Sequence, residues 1–221
     1  MIVDERMVSF INSFDAGDSE IIETIEREAI EGGVPIIRQE MGSLLKVLVH
    51  LKKPSSILEV GTAVGYSSIL MASCMPKECT ITTIENYEKR IPVARENFRR
   101  AGFEDKITLL EGDAADVMKQ LTGTYDMIFM DAAKGQYIHF LDEVMRLLAP
   151  GGVLVSDNVL QEGDIIESKF GVVRRNRTIH MRMREYLYTL THMEGLQTSI
   201  IPVGDGITLS VKSGGEGEQN E

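Results

Sequence analysis

Glu59-Val60-Gly61-Thr62-Ala63-Val64-Gly65-Tyr66-Ser67 follows directly on a short β-rich run, Ser56–Val60, and opens a segment with helical pattern. A strand, a glycine turn and a helix make the entry to an α/β unit. Glycines at the turn let the backbone fold back tightly and approach a ligand closely. The dinucleotide fingerprint G-x-G-x-x-G is not met, because Ala63 and Tyr66 stand where glycines would be needed. The P-loop lysine is also missing. A pyrophosphate is therefore not the obvious guest.

Outward from this turn, β-rich runs alternate with helix-length segments. The runs are Ser56–Val60, Thr80–Ile84, Thr108–Glu111, Tyr125–Met130 and Val153–Ser156. The helical intervals are about 66–75, 88–101, 114–121 and 137–148. Such alternation predicts a parallel sheet covered on both faces. After residue 157 the rhythm breaks, with a loop and then a helix near 176–192. Two further runs, Gln197–Pro202 and Ile207–Lys212, are joined by Val203-Gly204-Asp205-Gly206. A connection that short requires an antiparallel pair. The expected fold is thus α/β: a seven-stranded, mostly parallel sheet with an antiparallel C-terminal hairpin. Ahead of it the first fifty residues read as helices. Ile21, Ile22, Ile25 and Ala29 recur at helical spacing, then Met41, Leu44, Leu45 and Leu48. A single domain over residues 1–213 is expected, with a polar, glycine-rich and disordered tail from 214 to 221.

Composition excludes several classes. The 221 residues carry a formal charge of −11, which argues against coating nucleic acid by bulk charge, DNA included. Two cysteines, Cys74 and Cys79, cannot build a disulfide framework or a cysteine zinc site, and they suit a reducing compartment. The start, MIVDERMVSF, lacks the pattern of a secretory signal, and no apolar stretch approaches the length of a membrane span. A cytoplasmic protein is expected.

Four consecutive strand ends carry an acid: Glu59, Glu85, Asp113 and Asp131. One such acid is often only a helix cap, but open α/β sheets bind ligands outside the carboxyl ends of their strands. Glu85, closing the second strand, can accept both hydroxyls of a ribose. In Glu111-Gly112-Asp113-Ala114, Asp113 can meet an adenine amino group. Two further motifs are Asp131-Ala132-Ala133-Lys134-Gly135-Gln136-Tyr137 and Ser156-Asp157-Asn158-Val159-Leu160. Adjacent fourth and fifth strands place Asp131, Asp157 and Asn158 side by side. Three oxygen ligands suit a hard divalent cation such as Mg²⁺. The four histidines, 50, 139, 180 and 192, have no metal-ligand spacing. Beside a dication a lysine gives up its proton more readily, so a neutral Lys134 could deprotonate a substrate hydroxyl.

The strand-end acids and glycine turn resemble the seven-stranded S-adenosylmethionine-dependent methyltransferases, over residues 35 to 212. The resemblance implies that Gly61 and Ser67 lie near the methionine end of the cofactor. It puts Glu59 beside them, Glu85 on the ribose, and Gly112, Asp113 and Ala114 beside the adenine. Val34-Pro35-Ile36-Ile37 would cover the methionine by backbone contacts, Ile37 among them. The Asp131–Lys134 and Asp157–Asn158 motifs resemble the cation-dependent O-methyltransferases, which include the catechol and caffeoyl-CoA enzymes. That likeness implies a substrate with two adjacent oxygens on the metal, Lys134 and Asp131 as catalytic groups, and a homodimer.

With Ile201-Pro202-Val203-Gly204-Asp205-Gly206, these motifs are similar to those of the bacterial tRNA 5-hydroxyuridine methyltransferases. The substrate implied is the wobble position in the anticodon region of tRNA, and the product is 5-methoxyuridine. Residues 169–184 fit an RNA partner, for they hold Lys169, Arg174, Arg175, Arg177, Arg182 and Arg184 and no acid. Lys169, Arg174, Arg175 and Arg177 are the expected phosphate contacts. The same stretch could instead be a solvated helix face or a dimer contact, leaving a small catechol-type substrate.

Overall fold

A computed structural model describes residues 2–214. The expected disordered tail lies outside the described residues, apart from Gly214. Three helices come first: α1 (Glu5–Asn12), α2 (Glu20–Glu31) and α3 (Gln39–Lys52). Helical spacing puts Ile22, Ile25 and Ala29 of α2 inside, and Met41, Leu45, Leu48 and Val49 of α3.

The alternating part then runs β1 (Ser56–Val60), α4 (Tyr66–Cys74), β2 (Thr80–Glu85), α5 (Ile91–Arg100), β3 (Ile107–Glu111), α6 (Ala114–Gln120) and β4 (Tyr125–Met130). Next come α7 (Tyr137–Leu147), β5 (Leu148–Ser156), α8 (Arg177–His192), β6 (Leu196–Ile201) and β7 (Ile207–Lys212). The sheet order is β3-β2-β1-β4-β5-β7-β6. The first five strands are parallel, and β7 lies antiparallel between β5 and β6. This is the expected seven-stranded sheet.

Most boundaries agree within one residue, and two differ by three or more. Helix α5 starts at Ile91 rather than near 88, because Tyr87–Arg90 forms a turn and Pro92 sits in the first helical turn. Strand β5 starts at Leu148, and a bulge opposite Tyr125–Met127 takes up the extra residues before Val153.

Side chains alternate across each strand, so two cores form. Ile57, Met127, Phe129 and Val155 pack with α2 to α5. Leu58, Val60, Ile128, Met130 and Leu154 pack on the opposite face with α7 and α8. Among the described residues no helix is long and apolar enough to cross a membrane.

After β1 the chain moves outward to β2 and β3, then returns to place β4 on the other side of β1. The crevice of an open α/β sheet opens at such a switch point. Gly61 sits there with φ +106°, hydrogen-bonded from its amide to the carbonyl of Ile84. A Cβ added at Gly61 would lie 2.1 Å from the carbonyl oxygen of Asp131. Gly61→Ala should therefore cost on the order of 3 kcal/mol or more in urea unfolding, from backbone conformation and the clash together. Gly151→Ala, also at positive φ but with open space around it, should cost only about 1 kcal/mol. Equal losses in the two variants would show that close approach at Gly61 does not matter.

Candidate active site

The carboxyl ends of β1, β2, β3 and β4 surround a cleft of about 510 Å³. Its lining includes Gly61, Glu85, Gly112, Asp113, Ala114, Asp131, Lys134 and Asn158. These expected site residues meet in one place although the sequence separates them widely.

Glu85 is buried and works on both sides of the turn. Its Oε2 accepts from the amide of Ala63 at 2.8 Å, and Oε1 accepts from those of Asn86 and Tyr87 at 2.9 and 2.8 Å. The carboxylate is thus fixed in direction and keeps acceptor capacity toward the cleft. Asp113 is exposed and caps α6 by accepting from the amide of Ala115 at 2.9 Å. It is a helix cap and also a lining residue.

Of the expected cofactor and metal residues, four do not line the cleft: Asp157, which lies buried behind Asp131 and Asn158, and Glu59, Ser67 and Ile37, which are placed differently. Period-two alternation along β1 turns Glu59 to the α4 side, with Ile57. There it is fully buried and accepts from the hydroxyls of Ser67, Ser68 and Thr83. Burial pushes its carboxyl up to about 7 against the opposing pull of those hydroxyls. Glu59 and Ser67 therefore form a polar joint beneath the glycine turn. Ile37 belongs to the α2–α5 core, while its neighbours Pro35 and Ile36 reach the cleft.

Asp131 and Asp157 extend from neighbouring strands. Met130 and Ser156 are in register, and the Asp157 amide donates to the Met130 carbonyl at 2.9 Å. Asn158, with φ +61°, donates from its side-chain amide to Asp131 Oδ1 at 3.1 Å. Burial raises the carboxyl pKa of both acids. The negative charge of Asp131 adds to the effect on Asp157. The Tyr137 hydroxyl lies 3.1 Å from the carbonyls of both Met130 and Asp157, so it ties the two strand tips together.

Lys134 follows on a short 3₁₀ turn, Lys134–Gln136, with its Nζ 2.8 Å from Asp205 Oδ2. Sequence reasoning did not place Asp205 in the site. Its motif was visible, but no local pattern says that the β6–β7 turn reaches Lys134. Tyr87, Arg90, Gln136 and Phe140 also line the cleft without having been expected there.

The basic stretch divides in two. Arg177, Arg182 and Arg184 spend hydrogen bonds on backbone carbonyls: Arg177 on Val172 and Phe170, Arg182 on Gly135, and Arg184 on Ile165. Arg177 thus holds the 170–172 loop instead of standing free as an expected phosphate contact. Lys169, Arg174 and Arg175 are exposed.

The profile of the O-methyltransferase family matches residues 12–213. A catechol O-methyltransferase of Niastella koreensis is 37% identical over 143 residues, covering 62% of this chain and 65% of its own length. Caffeoyl-CoA O-methyltransferase 2 of Populus trichocarpa is 32% identical, over 76% of this chain and 71% of its own. A solved structure of a putative caffeoyl-CoA O-methyltransferase from Staphylococcus aureus superposes with a TM-score of 0.87 at 31% identity, covering 95% of this chain and all of that one. The O-methyltransferase TomG of Streptomyces achromogenes, solved with S-adenosylmethionine, gives 0.83 at 26% identity, over 93% and 96% of the two chains. Fold, cleft and comparisons agree: the chain belongs to the O-methyltransferase family and is an S-adenosylmethionine-dependent O-methyltransferase.

Proposed function

We propose that this enzyme methylates the 5-hydroxyl of 5-hydroxyuridine at the wobble position of tRNA, with a divalent cation, Mg²⁺, held by Asp131, Asp157 and Asn158. The observation that carries the RNA assignment is the seating of α8. This helix of the basic stretch packs on the turn that bears Lys134, through the Arg182–Gly135 hydrogen bond. The exposed cations Lys169, Arg174 and Arg175 lie in the segment that leads into this helix, which supports the reading of an RNA partner. A tRNA substrate puts the enzyme in the cytoplasm.

The residues at the strand tips fit a hard cation. A buried carboxylate, Asp157, beside the half-buried Asp131 of the cleft wall, with an amide oxygen available from Asn158, makes a negative site built only of oxygen donors. When bound, S-adenosylmethionine would supply an electrophilic methyl group, and a cation held by Asp131, Asp157 and Asn158 would acidify the hydroxyl of a substrate with two adjacent oxygens. Gly61, Glu85, Gly112, Asp113 and Ala114 hold the adenosyl part. Lys134 takes the hydroxyl proton at Nζ. Alignment of oxygen and methyl group does the rest of the work. No oxyanion develops on a carbonyl, so none needs a dedicated pocket.

A second reading keeps the same chemistry on a small catechol-type substrate. It is favoured by the relatives named for catechol and caffeoyl-CoA. A homodimer is also proposed, because α1 buries none of its own residues and exposes Met7, Phe10, Ile11 and Phe14.

Two measurements test these readings. In EDTA, Glu59, Asp131 and Asp157 are more protonated folded than unfolded, so stability should fall as pH rises from the ordinary carboxylate range through about 7. Mg²⁺ needs the ionised carboxylates, so its gain in Tm should be small at pH 5 and large at pH 8. At 100 times its Kd that gain corresponds to about 2.7 kcal/mol. A Tm unaffected by Mg²⁺ at pH 8 would remove the metal. Charge reversal at Lys169, Arg174 and Arg175 should lower methylation of tRNA bearing 5-hydroxyuridine by at least about 10-fold and leave catechol turnover intact. Equal activity of wild type and variant on that tRNA would favour the small substrate.

A further inference from the structure

We infer that Asp205 is a positioning residue for the reaction: its buried carboxylate aims Lys134 Nζ and braces the loop that follows the metal ligands. The inference rests on the reading of Lys134 as the base and deepens it.

Asp205 lies in the turn between β6 and β7 and is only 5% exposed. Its two carboxylate oxygens serve different partners. Oδ2 accepts from Lys134 Nζ at 2.8 Å, and Oδ1 accepts from the amide of Glu162. The turn backbone is tied to the same loop. Asp205 O accepts from the Leu160 amide and Gly206 O from the Val159 amide, both at 2.9 Å. There is no slack in the joint, since a Cβ at Gly206 would lie 2.2 Å from Leu160 Cγ. The loop held in this way starts at Asp157 and Asn158. One side chain therefore connects the base to the segment that presents two of the three proposed metal ligands.

Bracing the loop alone would not need a charge, because an asparagine oxygen could accept from the Glu162 amide equally well. Burying a carboxylate is costly unless it is paired, and its partner here is Lys134. The lysine stem is flexible and its side chain is 35% exposed. Left unanchored, Nζ would be drawn to Asp131 or Asp157, whose carboxylates the cation needs. In the ion pair Nζ is an ammonium; to act as the base it must first release one proton to solvent, which a nearby dication would favour, and the resulting amine has two N–H bonds and one lone pair. Holding one N–H on Asp205 confines the lone pair to a narrow range of directions. After the hydroxyl proton has moved to Nζ, the same carboxylate stabilises the ammonium.

Asp205→Asn separates the two roles, since it keeps an acceptor for Glu162 and removes the charge facing Lys134. With tRNA bearing 5-hydroxyuridine, and with catechol as the alternative acceptor, kcat should fall about 100-fold. The acceptor KM and the Kd for S-adenosylmethionine should stay within about threefold of wild type, with Tm nearly unchanged. Asp205→Glu keeps the charge on a longer arm, and its kcat should lie between those of wild type and Asp205→Asn. Lys134→Met serves as the reference. If it turns over like wild type, the base reading fails. If it is inactive while Asp205→Asn keeps wild-type kcat, the base stands and the positioning role is overturned. Loss of folding or of cofactor binding in both Asp205 variants would make Asp205 a structural residue only and overturn the proposal as well.

Discussion

Two carboxylates set side by side at the tips of neighbouring parallel strands, Asp157 buried and Asp131 half-buried at the cleft, are the constraint on which the site depends. The register of β4 with β5 brings Asp131 and Asp157 to one level, and the Asp157 amide is already committed to Met130. The backbone of both acids is thus fixed at the strand tips, Asp131 through its amide to the Val60 carbonyl. Their shared negative charge in a low-dielectric place must be offset, by protons or by a cation. The surroundings are arranged for that outcome. Asn158 takes a left-handed backbone conformation that asparagine tolerates, which turns its amide toward Asp131. Lys134 stands nearby, but its charge is directed to Asp205.

The glycine turn rests on a second buried acid. Glu59 cannot reach the cleft, because its neighbour Val60 takes the opposite face of β1. Instead it gathers the hydroxyls of Ser67 and Ser68 at the start of α4 and of Thr83 on β2. From above, Glu85 holds the same turn through the Ala63 amide. The turn is thus held between two carboxylates, and Gly61 approaches the Asp131 carbonyl closely.

Strand runs with strong β-branched and apolar character were legible almost to the residue: β1, β4 and β7 have their expected limits. The fold class followed from the alternation of elements and the short last connection. Asp131, Asp157 and Asn158 were legible as a group because adjacent parallel strands end at one level. Three features were not legible. The facing of Glu59 was missed because a strand-end acid reads alike whether it points up or sideways. Asp205 was missed because its partner lies 71 residues away in sequence. Arg177 reads as a phosphate contact in the sequence, because composition cannot distinguish an exposed arginine from one whose guanidinium closes a loop. In each case the missing information was tertiary pairing, which local pattern does not carry.

The charge distribution bears on substrate choice in the same local way. A chain of net −11 repels a polyanion over most of its surface, so phosphate contacts must come from a small region. Once Arg177, Arg182 and Arg184 are assigned to holding the loop and α8, that region shrinks to Lys169, Arg174 and Arg175. The exposed ring of Phe170 lies between Lys169 and Arg177, 5.3 and 5.7 Å from their charged groups. Under the proposed tRNA reading, three cations and one ring would not bind a long duplex tightly, but would suit a short single-stranded loop. Specificity would then come mainly from the two adjacent oxygens of the modified base at the cation. The basic segment would chiefly set how often the loop arrives in register, which makes the encounter sensitive to salt while leaving the methyl transfer itself indifferent to it.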